Sequence, residues 1–174
     1  QLVQKPGLVE SLLVAKEFEL DLDPRVPRAR AQARATLDLF PASPHACYVL
    51  CMSEMELGNH EEAIAAFEKA SAIARDPLSL AYLAYVRGMA GRTDEARQLL
   101  AEITARRERS FVPLRPFVLV HVGLGEVGRA LDYLEQAYRV RDPFLFHVPF
   151  CPLYRPLDAD PRFRAILDRV PVMA

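Results

Sequence analysis

Cys47 and Cys51 stand four residues apart, one helical turn, with His45 just ahead of them. Thiolates and an imidazole are zinc-ligand types, but a closed zinc site needs further ligands, and His45 is the one candidate nearby in sequence. The two cysteines are therefore expected to be small buried thiols facing a partner helix, and a disulfide between them inside one helix would be strained. With Cys151 the chain has three cysteines, an odd number without a dense framework, which points to reduced thiols and a cytoplasmic setting. His45, His60, His121 and His147 are scattered, and none stands in a recognisable Ser–His–Asp context. The glycine-bearing run GLGEVGRA at 123–130 follows no strand, as a phosphate loop would, and reads as a turn between helices. No catalytic residue, metal or cofactor is expected, and the chain does not read as an enzyme.

Charge adds little. Against 23 Asp plus Glu stand 22 Lys plus Arg, a net charge of −1, so no global field draws the chain to nucleic acid or an acidic membrane. Arg25, Arg28, Arg30 and Arg34 form one local cluster, and Arg106, Arg107 and Arg109 another. No aromatic residues interleave with them as stacking platforms, and the second falls where a helix end favours cations. Both are expected to be solvated surface. The hydrophobic share of 51% against 26% charged suits one domain with a sizeable core. The longest apolar run, around Phe117–Leu124, is roughly half of a membrane-spanning helix. Because the chain begins at Gln1 and not Met, it is expected to be a piece of a longer protein.

The residues that matter are positioned by a repeat. LGNHEEAIAAFEKA (57–70), AGRTDEARQLLAEI (90–103) and LGEVGRALDYLEQA (124–137) align, with Gly58, Gly91 and Gly125 at spacings of 33 and 34 residues. Each Gly supplies a left-handed residue that ends a first helix. Ala63, Ala96 and Ala130 follow by five, small enough for a second helix to pack closely on the first. Phe67, Leu100 and Leu134 come four later on the same face, and Ala70, Ile103 and Ala137 three after that. Glu61, Glu62, Asp94 and Glu95 sit in first turns, where negative charge complements the helix dipole.

This pattern resembles the tetratricopeptide repeat family. That family also places a small residue on the first helix seven before the Gly, here Cys51, Ala84 and Val118, after a large apolar one, here Leu50, Leu83 and Phe117. Its recurring aromatic three residues after the small position is replaced by Glu54, Arg87 and His121, which are expected to be solvated separately rather than stacked in a polar ladder. The fold is expected to be all-α, a right-handed α-solenoid of TPR-type helical hairpins with a C-terminal capping helix. Within one domain, residues 8–43 form a degenerate leading hairpin (helices Leu8–Leu20 and Pro27–Phe40), and 44–76, 77–110 and 111–140 are the repeats. Residues 141–174 form a proline-rich tail whose final helix starts at Asp160-Pro161. The ending, with RDPFL and LYRPLDADPRF, is similar to C-terminal repeat regions of bacterial signalling proteins that carry winged-helix, nucleotide cyclase or serine/threonine kinase domains. The resemblance implies a regulatory interaction module.

In the resembled family the first helix of each hairpin lines a groove. Mapped here, the groove is His45, Tyr48, Met52 and Met55, then Leu78, Tyr82, Tyr85 and Met89, then Val112, Arg115, Leu119 and Val122. The Lys and Asn with which some members clamp a carboxylate are absent. An aromatic, Met-lined surface suits a protein or peptide segment with an apolar or amphipathic face; alternatively it is covered by the chain's own termini or a second copy. So apolar a surface is expected to be covered by something. A tail that caps the array is not expected to reach back along the groove as well. Protein–protein interaction is the expected function, with homodimerisation or the sensing of an apolar small molecule as alternatives.

Overall fold

The computed structural model describes residues 25–41, 43–73 and 75–170. The expected helix Leu8–Leu20, and residues 171–174, lie outside them. All regular structure among the described residues is helical. The chain divides between Arg75 and Asp76 into two compact units.

In the first unit α1 (Val26–Leu39) packs on α2 (Pro44–Glu56), and α2 pairs with α3 (His60–Ile73). In the second, α4 (Pro77–Met89) pairs with α5 (Thr93–Arg107), and α6 (Arg115–Gly123) with α7 (Val127–Arg139), while α4 and α6 lie against each other. Two 3-10 segments, Pro143–Phe150 and Pro152–Leu157, lead to α8 (Pro161–Leu167).

A polar residue followed by Pro starts four of these elements. The Ser43 side chain accepts from Ala46 N, Asp76 from Leu78 N and Ser79 N, Asp142 from Phe144 N, and Asp160 from Arg162 N. Each satisfies an amide the helix leaves orphaned, and Pro sits where no donor is needed. The stops are equally local. Gly58, Gly91 and Gly125 have φ of +77°, +79° and +71°, and the amides of Asn59, Arg92 and Glu126 reach back to the carbonyls of Glu54, Arg87 and His121, each at 2.8 Å. This is the Schellman closure expected of those glycines. A fourth copy ends α7: Asp142 N donates to Ala137 O at 2.9 Å, with Arg141 at φ +55° in the glycine's place.

The packing register is the one the repeat predicts. Ala63, Ala96 and Ala130 are each 0% exposed, as are Cys51, Ala84 and Val118. In the second hairpin the large apolar slot is taken chiefly by Leu99, which is buried, while Leu100 is half-buried. Positions three and four beyond Ala96 share one helical face, so either can fill it.

Candidate functional site

Where the repeat family usually carries an aromatic, this chain builds polar clasps. Glu54 on α2 is 1% exposed. Its Oε1 accepts from Arg30 Nε and Arg34 Nη2 of α1, both at 2.8 Å, and its Oε2 from Asn59 Nδ2 at 2.8 Å. Burial pushes this carboxyl up, but hydrogen bonds from Asn59 and Arg30 and the two guanidinium charges outweigh it and hold Glu54 below the usual carboxylate value. His121 on α6 is buried, with Nδ1 2.7 Å from Glu126 Oε2 and its ring stacked on Tyr133 at 5.5 Å. Burial is the stronger influence and lowers the imidazole below its usual range, although Glu126 pulls the other way. Arg97 also pairs with Glu126 at 2.7 Å, so the carboxylate does not depend on a charged histidine. Arg87 lies 3.3 Å from Glu95 of the helix that follows its turn.

Separate solvation, expected for Glu54, Arg87 and His121, is therefore corrected at Glu54 and His121. Each is buried, and each closes on the residue directly after its turn glycine. The first arginine cluster is corrected in part for the same reason: Arg25 and Arg28 are exposed, but Arg30 and Arg34 fasten α1 to α2 through Glu54.

The groove positions divide sharply by exposure. In the first unit Tyr48 and Met52 are buried, with the Tyr48 ring set edge-on to Phe67 of α3 at 6.3 Å. Met55 is half-buried, its sulfur 3.4 Å from His60 Nδ1, and His45 is exposed. In the second unit Tyr82, Tyr85, Leu119, Val112 and Val122 are buried, Leu78 and Arg115 are half-buried, and Met89 is 41% exposed. Arg115 Nη2 donates to Tyr82 Oη at 2.8 Å, and its guanidinium lies over the Tyr82 ring, 5.7 Å from the centroid. These two are 33 residues apart, one short of the 34 between Gly91 and Gly125, so this contact between successive hairpins joins a tyrosine to an arginine one position out of strict repeat register.

The tail reaches the last of these helices. Segment Pro152–Leu157 packs on α6, and Tyr154 is 1% exposed. Burial drives its phenol far up, while the Arg115 charge opposes and Tyr85 adds to the shift. The Tyr154 hydroxyl is buried, makes no hydrogen bond to a described residue and feels the charge of Arg115. Meanwhile α8 packs on α7, with Phe163 and Ile166 buried and Arg162 Nη2 2.9 Å from Asp132 and 3.1 Å from Glu135. The expectation that a capping tail could not also reach the groove is corrected. Four prolines and two 3-10 segments bend the tail so that one part packs on α6 and the final helix on α7.

Residues 44–77 match the family model of the tetratricopeptide repeat. The match covers the α2–α3 hairpin, and the two later hairpins share its turn and its alanine crossing. The all-α fold of TPR-type hairpins expected from the sequence is the one observed. No curated protein and no solved structure matches the chain.

Tetratricopeptide hairpins bind protein or peptide partners in general and are typically non-catalytic. Cys47 and Cys51 are buried free thiols, both raised by desolvation, so neither is a ready thiolate. Among the described residues, no three His, Cys, Asp or Glu side chains are grouped to hold a metal ion. Nor is any described helix long and apolar enough to cross a membrane. The sequence reading missed Tyr154, Asn59 and Glu126. Asn59 and Glu126 were legible in principle, since both directly follow a turn glycine.

Proposed function

We propose that this chain is a protein–protein interaction module that regulates an effector domain within a larger signalling protein. The observation that carries this reading is the tetratricopeptide match at 44–77, with the same turn repeated at Gly91 and Gly125. Its partner is a polypeptide segment with an apolar or amphipathic face. On the second unit the contact residues are the groove positions that keep exposed surface, Leu78, Met89 and Arg115, and on the first unit, taken by itself, they are His45 and Met55. Tyr48, Met52, Tyr82, Tyr85 and Leu119 set the shape behind them. Such a module needs neither a cofactor nor nucleic acid.

Selection of a displayed library of random peptides on the immobilised chain tests the reading. Saturable peptides of shared pattern are expected, from a chain that is monomeric by light scattering. A chain that enriches no peptide, or that self-associates through the same residues, overturns it.

A further inference from the structure

We propose that the tail carries a second docking site, a basic pocket with an apolar floor that takes an acidic peptide segment bearing a large apolar side chain. A cavity of about 570 Å³ opens between the end of α7, the first 3-10 segment and the end of α8. Leu145 and Val170, both buried, and half-buried Tyr138 form its apolar wall. Around it stand Arg139, Arg141 and Arg169, against the single carboxylate of Asp142.

The charges are available to a ligand. Asp142 is spent in part on the Phe144 amide at 3.2 Å. Arg139 is 76% exposed and only 3.8 Å from Glu135, which also engages Arg162 at 3.1 Å. Arg141 makes no ion pair or side-chain hydrogen bond with any described residue; its left-handed backbone holds the side chain at the turn. Arg169, an exposed residue, donates through Nε to Ala165 O and lies 4.5 Å over the Tyr138 ring. Three guanidiniums around one carboxylate attract anions, and planar guanidiniums bind carboxylates with two parallel hydrogen bonds.

The occupant is a chain segment because exposed apolar side chains stand on the pocket's rim and beside it in sequence. Phe146 on its rim is 48% exposed, and Val140 and Phe150 nearby in sequence are 62% and 49% exposed. Aromatic residues and arginine with exposed apolar neighbours are what the centres of protein interfaces favour.

The proposal rests on the interaction-module reading, and the peptide selection separates the two. Enriched peptides are expected to pair Asp or Glu with Leu or Phe, and to bind less tightly as salt rises. Arg141→Glu is expected to lower their affinity at least about tenfold, with Arg139→Glu acting in the same direction. Arg141→Gly removes the charge while suiting the left-handed turn, so lost binding with unchanged or raised melting temperature excludes a folding defect. Peptides that are neutral or basic, or that bind Arg141→Glu and Arg141→Gly as they bind the native chain, overturn the pocket and leave the interaction reading standing. If no peptide is enriched at all, both fall.

Discussion

Glu54 does two jobs with one residue: its backbone carbonyl closes the turn at Gly58, and its carboxylate gathers three side-chain donors. A buried carboxylate held by two guanidiniums and one amide favours its ionised form. Glu54→Gln is expected to cost about 1–3 kcal/mol at neutral pH, measured by urea unfolding. Because its folded pKa is depressed, the contribution is complete above the ordinary carboxylate value of 4.5 and is lost as pH falls through the lower folded value. The difference between native and variant should therefore shrink on acidification. His121 is depressed too, from an ordinary 6.5, so protonation favours the unfolded chain as pH falls below that value. His121→Phe, which restores the family's aromatic, should flatten the pH dependence of stability just below 6.5 while Arg97 keeps Glu126 paired. A melting profile unchanged between pH 7 and pH 5 in the native chain would contradict this assignment.

Helix pairing in the second unit turns on glycines that no repeat search marks. A Cβ on Gly123 would lie 2.6 Å from the Tyr85 Cα and carbonyl oxygen, and one on Gly88 would lie 2.5 Å from the Gly123 carbonyl oxygen. So α4 and α6 touch backbone to backbone. Helix propensity alone says that Gly123→Ala should stabilise by about 1 kcal/mol; overpacking of rigid backbone opposes it with roughly 1–3 kcal/mol or more. The second effect wins, and the variant should melt lower. By contrast Gly91→Ala meets no neighbour within 4 Å, and its expected loss of about 1–2 kcal/mol comes from the left-handed backbone alone. The turn glycines were legible because they recur at one register. Gly88 is three before its turn glycine and Gly123 is two before its own, so the crossing leaves no periodic mark. Element starts were legible wherever Ser or Asp precedes Pro, since that pair is a local signal.

At the scale of the whole chain, the tail binds the second unit from two sides. Tyr154→Ala should remove about 3–5 kcal/mol, and deletion of residues 143–174 should raise binding of a hydrophobic dye as Tyr82, Tyr85 and Leu119 lose cover. A deletion that leaves both stability and dye binding unchanged would contradict the fold-back. The final helix was legible from Asp160-Pro161, but the path before it was not. Four prolines erase any period there, and Tyr154 meets residues about one and two repeats earlier in sequence, a pairing set by tertiary packing alone. The groove reading fared similarly. It named Tyr82 and Arg115 as groove members, yet their hydrogen bond to one another is set by tertiary packing, not by the repeat period.

The fold-back has a consequence for how such an array can change its length. Segment Pro152–Leu157 packs on α6 with Tyr154 buried, and the electrostatic influence of Arg115 and Tyr85 reaches its hydroxyl, so the tail should fit this pair of neighbouring repeats in this order. Duplicating the last hairpin would set the tail on a copied Arg115 whose neighbour at the Tyr85 register is Leu119. The tail thereby works as a ruler: it matches the array at its present number of hairpins and penalises gain or loss of one. Lengthening this protein by recombination or design would require rewriting the Tyr85 register along with the inserted repeat.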